Sequence, residues 1–317
     1  MRTQIGISKR RSLPAACAEL VRQIKKHPLL YLMILPAIAY FVVFKYLPMT
    51  GIVIAFENFK ATKGIWGSDW VGLKYFRLLF RDAAFWRAFN NTIIISLMRL
   101  SICFPFPIIV ALLLNEFNST RVRNTVQTVI YLPHFLTWVV IAGLLNNLFA
   151  PGGGLLNQVV VSLGGQPFTF LTNPKTFRWT LVITSMIKEG GWSSIVYLAA
   201  ISSIDTEMYE AAYIDGANRW QRLIYITLPS LAPTLCIMLI LQLGTIMEGG
   251  MDQIVVLYNN AVLSVSDIID TFIYRKTLLN VNYSYGTAAG LLKSVINMAL
   301  ILGSNKAVKL MGGEGLY

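Results

Sequence analysis

An all-α integral membrane protein with about six transmembrane helices is the fold class that this sequence predicts. Of its 317 residues, 55% are hydrophobic and only 13% are charged, and the mean hydropathy is +0.59. This composition is far more apolar than that of soluble domains. A helix that crosses the hydrocarbon core needs about 20 mostly apolar residues. The candidate spans are Leu29–Leu47, Thr92–Leu114, Val126–Phe149, Trp179–Ile201, Leu231–Met247 and Thr287–Gly303. Residues 29–303 therefore form one predicted transmembrane domain.

The N-terminal segment, residues 1–28, sets the predicted orientation. Its basic residues are Arg2, Lys9, Arg10, Arg11, Arg22, Lys25 and Lys26. They are too many, and too far from a small-residue cleavage site, for a removable signal peptide. The positive-inside rule places them in the cytoplasm. With six spans, segments 115–125, 202–228 and 304–317 are then cytoplasmic, and 57–90, 150–178 and 248–284 face outward. The net charge of +12 lies at the ends of apolar stretches and not in one patch, which argues against nucleic-acid binding.

The outward segment 57–90 combines aromatic and basic residues. Its six basic residues run against the positive-inside rule, so the orientation depends on the N-terminus. A glycine- and tryptophan-rich piece, Gly64 to Leu73, precedes the amphipathic run YFRLLFRDAAFW, which ends at Trp86. Tryptophan and tyrosine favour the membrane interface, so an interfacial helix is predicted here, with a ligand site as the alternative.

No catalytic or metal site is predicted. Cys17, Cys103 and Cys236 are widely separated, and the only histidines, His27 and His134, complete no nucleophilic or metal-binding constellation. No GxxxxGK[ST] phosphate loop occurs, because the nearest candidate lacks the glycine before Lys293. The chain is predicted to be a transport subunit without its own ATPase site, not an enzyme.

The predicted cytoplasmic segment 205–229 contains EAAYIDGANRWQRLIYITLP, which runs from Glu210 to Pro229. Asp205 can cap a short helix. The small side chains of Ala211 and Ala212 would let another protein approach this helix closely. Asp215-Gly216 predicts the end of that helix, because glycine accepts the left-handed conformation.

A second helix, Asn218 to Thr227, is predicted after this turn, followed by an extended residue at Leu228 because proline follows it. From the residues alone, a docking segment and a merely solvated loop both remain open.

The spacing of EAA, DGA and LP in this segment resembles the EAA motif of binding-protein-dependent ABC importer permeases. The likeness covers nearly the whole chain and points to the LplB-type branch of the MalF-like sugar permeases. The stretches that carry it are Tyr31 to Phe56, Lys63 to Phe76, Glu189 to Asp205 and Asp267 to Arg275.

The resemblance implies a six-helix permease of the bacterial cell membrane that forms a heterodimer with a second homologous permease. Two cytoplasmic ATPase subunits would bind ATP and Mg, this chain would bind no cofactor, and an extracellular binding protein would deliver sugars or oligosaccharides. Glu210 would pair with a basic group of the ATPase, Ala211 and Ala212 would form the contact surface, and Gly216 the turn. The other motif positions are Asp215, Ala217 and Pro229. The maltose permease has a large outward domain that this chain lacks.

Polar side chains at membrane depth are the candidates for the substrate path, because such groups usually face a bundle interior or a wet cavity. The candidates are Lys188, Glu189, Trp192, Gln242, Thr245, Lys293 and Asn297. Lys293 and Asn297 share a helix face at i, i+4 spacing, and Trp192 could stack on a sugar ring. Each of them could instead hold helices together. Arg99 is expected to snorkel or to pair near an interface.

The outward segment that ends in DIIDTFIYR, Asp267 to Arg275, is expected either to contact the binding protein or to pack as a solvated amphipathic loop on the ends of the spans. The alternative function for the whole chain is an ion-coupled secondary transporter or channel, which polar groups inside spans would also permit. Such a carrier would not need the EAA to LP segment.

Overall fold

The structure, a computed structural model, describes residues 22, 23, 25–117, 119–150 and 152–310. Most of the basic N-terminal segment, with Cys17, and the last seven residues of the predicted tail lie outside the described residues. The chain divides into two units, one up to Val53 and one from Ile54 onward.

An apolar helical segment makes up most of the described part of the first unit and ends at Phe56, just beyond the boundary at Val53. Helix α1, Pro28–Phe41, continues into a π-turn at Val42–Tyr46 and a 3₁₀ stretch at Leu47–Phe56. Its large side chains are exposed within the chain, for example Met33 at 72%. A helix that is apolar on all sides requires lipid or a partner around it.

The remaining elements follow in chain order. They are β1 Glu57–Asn58, α2 Gly64–Gly67, β2 Asp69–Trp70, α3 Lys74–Arg81, α4 Ala83–Cys103, α5 Pro105–Asn115, α6 Thr120–Tyr131, α7 Trp138–Phe149, α8 Leu155–Ser162, α9 Pro174–Ser202, α10 Thr206–Ile214, α11 Arg219–Arg222, α12 Leu228–Gly244, α13 Met251–Leu257, α14 Leu263–Ser266, α15 Ile269–Tyr274 and α16 Tyr283–Leu310. Strands β1 and β2 form a small antiparallel hairpin in which Glu57 lies opposite Trp70.

The all-α membrane fold is confirmed, but the spans differ in detail from the prediction. In the described part of the chain, four helical segments are long and apolar enough to cross a membrane: Pro28–Phe56, Ala83–Asn115, Arg219–Leu257 and Tyr283–Leu310. A fifth is added if the bent pair Thr120–Phe135 and Trp138–Phe149 counts as one span. Helix α9 has 29 residues, enough to span, but Lys188 and Glu189 near its middle make it less apolar.

The third predicted span, Val126–Phe149, is not one straight helix. It is broken after Phe135, and the two parts are bent by 100°. Pro133 lies in a 3₁₀ turn at Leu132–Phe135, and the side chain of Thr137 then caps α7 by accepting a hydrogen bond from the N–H of Val140 at 3.4 Å. A proline followed by a capping residue explains why the helix restarts in a new direction.

Three groups of buried apolar side chains hold the second unit together. One joins α4, α7, α9 and α13 and includes Ile95, Leu181 and Ile254. Another joins α3, α4, α15 and α16, and its members include Leu79 and Phe272. The third joins α5, α9 and α12. Only 17% of the most apolar window of each of the three spans in this unit is buried inside the chain, so most of their surface is left for lipid or for other subunits.

Candidate transport site

The first helix predicted in segment 205–229 is present as α10. The side chain of Asp205 caps it by accepting a hydrogen bond from the N–H of Glu207 at 3.0 Å. After Asp215, Gly216 takes the left-handed conformation with φ +78°. The N–H of Gly216 donates to the carbonyl of Tyr213 at 3.1 Å, and the N–H of Ala217 donates to that of Ala212 at 2.8 Å. This pair of bonds is a Schellman motif, which satisfies carbonyls that the helix end leaves free.

The second half of the segment differs from the prediction at Leu228. Asn218 begins α11 with a capping box, in which its side chain accepts from the N–H of Gln221 at 2.9 Å. The helix then widens into a π-turn at Leu223–Thr227 and continues into α12 without a break. Leu228 is helical, with φ −64° and ψ −44°, and its N–H donates to the carbonyl of Leu223. The expected extended residue is therefore wrong. Pro229 follows the π-turn within this continuous helix, and it cannot donate the backbone hydrogen bond that another residue would make there.

The two halves of the segment contact each other. The hydroxyl groups of Tyr209 and Thr227 are hydrogen-bonded at 2.9 Å, and the guanidinium of Arg222 lies 5.9 Å from the ring centre of Tyr213. The segment is therefore held in one shape by its own side chains.

Large apolar side chains of this segment are nevertheless exposed. The exposed fraction is 71% at Tyr213, 85% at Ile214 and 73% at Trp220. Glu210 and Ala211 are exposed too, and Ala212 and Ala217 are half-buried. A group of exposed apolar residues on a preorganised segment is typical of a protein contact.

A second cluster lies at the middle of α9. The Lys188 ammonium, whose side chain is 8% exposed, donates to the carbonyl of His134 at 2.8 Å and pairs with Glu189 at 3.0 Å. The other carboxylate oxygen of Glu189 is 2.7 Å from Nδ1 of His134. The ring of Trp192 stacks on that of His134, with centroids 4.6 Å apart and an angle of 1°. The cluster ties α9 to the bend before α7.

Two glycines make this cluster possible. A Cβ at Gly190 would overlap the ring of Phe106, and a Cβ at Gly191 would overlap the carbonyl of Ile130. Helix α9 can therefore approach α5 and α6 closely only because both positions lack a side chain. The sequence predicted no nucleophilic or metal site at His134, and no local pattern pointed to its partners.

Three of the remaining candidates for the substrate path line one cavity of about 490 Å³. Gln242, Thr245 and Lys293 are among its lining residues, together with Trp138 and Asp270. The ammonium of Lys293 pairs with the Asp270 carboxylate at 2.6 Å. Glu248 and Asp252 also line the cavity and are exposed.

Asn297 does not line this cavity. Its Nδ2 donates to the carbonyl of Gly244, which ties α16 to α12, and its Oδ1 is buried without a hydrogen-bond partner in the described structure. Asn297 is thus separated in role from Lys293, although the two residues share a helix face in sequence.

Arg99 lines the same cavity, and its expected position near an interface stays a prediction. Its Nη2 donates to Oε1 of Gln253, and its Nε is buried without a partner. No carboxylate of the described residues lies within ion-pair distance of it. Gly250, with φ +82°, lies directly against the guanidinium, so a Cβ there would overlap it. The sequence feature that singled out Arg99 is a charged residue inside the apolar stretch Thr92–Leu114.

Comparison with known families identifies the type of protein that contains these features. The sequence profile of the family described as "Binding-protein-dependent transport system inner membrane component" matches residues 103–303. The chain belongs to this family. The predicted resemblance is therefore confirmed, as are a multi-pass membrane location and a role in transport.

Individual relatives are similar over almost their full length. The Polygalacturonan/rhamnogalacturonan transport system permease protein YteP of Bacillus subtilis (strain 168) is 42% identical over 91% of this chain and 90% of its own. Protein LplB of the same organism is 38% identical over 98% of this chain and 99% of its own.

A chain of a bacterial alginate ABC transporter, solved in complex with an alginate pentasaccharide-bound periplasmic protein, is similar in structure. It matches 93% of this chain and 99% of its own, with a TM-score of 0.87 and 38% identity.

The stretch Asp267 to Arg275 of this family member is not an exposed loop. Asp267, Ile268 and Thr271 are 0% exposed, and α15 packs in the core with Phe272 also at 0%. The buried Asp267 carboxylate accepts a hydrogen bond from Thr271 at 2.8 Å and pairs with Arg275. The apolar side chains of this stretch therefore complete the core between α4 and α16, and contact between the outward segment that ends here and a binding protein stays a prediction.

Proposed function

We propose that this chain is the permease subunit of an ATP-driven importer for acidic oligosaccharides in the bacterial cell membrane, with its N-terminus in the cytoplasm. It forms a heterodimer with a second homologous permease. Two cytoplasmic ATPase subunits bind ATP and Mg, this chain binds no cofactor, and an extracellular binding protein delivers the substrate. The substrate class is inferred from the relatives, which include a polygalacturonan and rhamnogalacturonan permease and a transporter of the acidic polysaccharide alginate.

The observation that carries this proposal is the geometry of segment 205–229, which we call the coupling segment. A short helix that ends in a Schellman motif exposes Glu210, Tyr213 and Ile214, while the Tyr209–Thr227 hydrogen bond fixes it against the start of α12. Because the segment leads directly into α12, a movement imposed by the ATPase at Ile214 is transmitted to the helix that carries Gln242 into the cavity. ATPase closure would thereby reshape the substrate path.

Arg99 provides the charge that an acidic sugar requires. Lys293 already pairs with Asp270, whereas Arg99 has no carboxylate partner among the described residues. A guanidinium binds a carboxylate through two parallel hydrogen bonds, and such charge-assisted bonds are among the strongest in proteins. The uronate carboxylate would therefore bind at Arg99, while Gln242, Thr245 and Lys293 contact sugar hydroxyls.

The cluster on α9 lies beside this path through Trp138, which lines the cavity and whose ring centre is 5.5 Å from the Lys188 ammonium. Trp192 is 41% exposed, which leaves ring surface for a sugar, and Lys188 and Glu189 hold the stacked His134 under it. Asn297 holds α16 in place and does not touch the substrate.

The test is uptake of labelled trigalacturonate by proteoliposomes that contain this chain with its cognate partner permease, ATPases and binding protein. Uptake should require internal ATP and Mg, and it should stop with a non-hydrolysable ATP analogue. Uptake that persists without ATP under an imposed ion gradient would identify an ion-coupled carrier and overturn the proposal.

A further inference from the structure

Helix α3 has two chemically different faces. Tyr75 and Leu79, 8% and 0% exposed, pack into the core with Phe272. Lys74, Arg77 and Arg81 are exposed. Residues three, four and seven positions apart lie on one side of a helix, so these three cations share a face. A short basic amphipathic helix of this kind is suited to a membrane surface.

None of these three cations has an acidic partner among the described residues. The nearby acids are engaged elsewhere: Asp69 lies 3.6 Å from Lys63, and Asp82 lies 3.5 Å from Lys276. Partial burial alone would raise the pKa of Asp82, but hydrogen bonds from Tyr285 and the N–H of Ala84, together with Lys276, hold its pKa below the ordinary value. The face of α3 therefore carries positive charge that the described chain does not neutralise.

The cations border a cleft of about 230 Å³. Its other lining residues are Val71, Leu73 and Leu78. Leu73 and Leu78 are 55% and 46% exposed. The cleft thus combines cationic side chains with apolar surface, and exposure of that apolar surface to water is unfavourable.

The position of the cleft relative to the membrane follows from the neighbouring spans. Only Asp82 separates α3 from α4, which begins the span Ala83–Asn115. The hydroxyl of Tyr285, near the start of the span Tyr283–Leu310, donates to Asp82 at 2.8 Å. Helix α3 therefore lies at the level where two spans enter the membrane, which is the level of lipid headgroups.

We propose that this cleft is a binding site for an anionic phospholipid. The phosphate binds between Arg77 and Arg81 with Lys74 beside it, and an acyl chain covers Leu73 and Leu78. Charge-assisted hydrogen bonds from arginine suit a phosphate, and each cation near a membrane surface adds attraction for anionic lipid. An acidic surface of the binding protein would match the charges but would not require the apolar part of the cleft.

The test compares Arg77→Gln/Arg81→Gln with the control Lys60→Gln/Lys63→Gln, which removes the same charge from the same segment but outside the cleft. The complete importer is purified in detergent, and retention of phosphatidylglycerol and of phosphatidylcholine is measured by native mass spectrometry. All four substituted side chains are exposed, so folding should be preserved. The cleft variant should bind phosphatidylglycerol about twentyfold to thirtyfold more weakly, whereas the control should match the unchanged protein.

Three results would overturn the proposal. One is equal retention of phosphatidylglycerol by the unchanged protein and the cleft variant. Another is that millimolar inorganic phosphate displaces the lipid and stabilises the importer against heat as much as the lipid does, which would make free phosphate the occupant. The last is weaker docking of the binding protein to the cleft variant with lipid retention unchanged, which would assign the cleft to that partner.

Discussion

The N–H of Ala217 donates to the carbonyl of Ala212 at 2.8 Å, and this bond closes the turn in which Gly216 has φ +78°. A Cβ at Gly216 would meet no atom within 4 Å. The demand for glycine at this position therefore comes from the backbone conformation, and not from packing within the chain.

Gly216→Val should weaken attachment of the ATPase and lower uptake, while membrane insertion and pairing with the second permease persist. The left-handed conformation costs a β-branched residue about 1–2 kcal/mol, which is too little to unfold the membrane domain. Co-purification of both partners from detergent measures the effect. Gly303→Val is the matched control, because Gly303 also has open space but no positive φ. Full ATPase binding by the Gly216 variant would show that this turn is not part of the contact.

Ile214→Ser and Trp220→Ser should each reduce ATPase co-purification without lowering the thermal stability of the permease pair. Both side chains are exposed within the chain, so their apolar surface is buried only by a partner. Leu163→Ser, which changes a side chain that is 82% exposed on the predicted outward side, is the control and should leave ATPase binding intact. The same loss in all three variants would contradict a localised docking surface.

Arg99→Gln should weaken the response of the importer to acidic substrates more than its response to neutral ones. We expect trigalacturonate to stimulate the ATPase with an apparent affinity about tenfold to a hundredfold weaker, and its methyl ester to be affected little. Arg99→Lys should recover part of the difference, because it restores the charge without the planar fork.

Arg178→Gln is the control for the Arg99 variant. Arg178 donates to Asn91 at 2.7 Å and does not line the cavity, so its loss should change stability but not the ratio between the two ligands. If Arg99→Gln lowers the response to both ligands equally, Arg99 serves structure alone.

Lys188 and Glu189 should behave as a coupled pair. Glu189→Ala removes the ionic partner of a buried ammonium and also the partner of His134 Nδ1, so it should lower the melting temperature of the complex. Lys188→Met/Glu189→Ala should be less destabilised than the sum of the single changes, by about 1 kcal/mol or more. Thermal unfolding of the reconstituted complex gives the cycle, and strict additivity would mean that the pair contributes nothing as a unit.

Local features of the chain were predictable from sequence because their causes are local. Apolar stretches of about 20 residues must leave water, and this gave the membrane fold, although Lys188 and Glu189 make α9 less apolar than the other spans. Asp205 and Gly216 mark the ends of α10 through interactions within a few residues. The expectation at Leu228 failed because a π-turn before Pro229 accommodates the proline ring, an option that residue preferences do not reveal.

Only the tertiary structure decided which polar groups meet. Arg99 and Gln253 are 154 positions apart, and His134 and Glu189 are 55 apart. Their pairing depends on how helices pack, on the glycines that permit close approach and on the 100° bend after Phe135. The same packing buried Asp267, Ile268, Ile269, Thr271 and Phe272, a mixture of polar and apolar residues that suits a surface and a core equally well in sequence. Side-chain polarity shows that a group needs a partner, whereas only the arrangement of helices determines which partner it has.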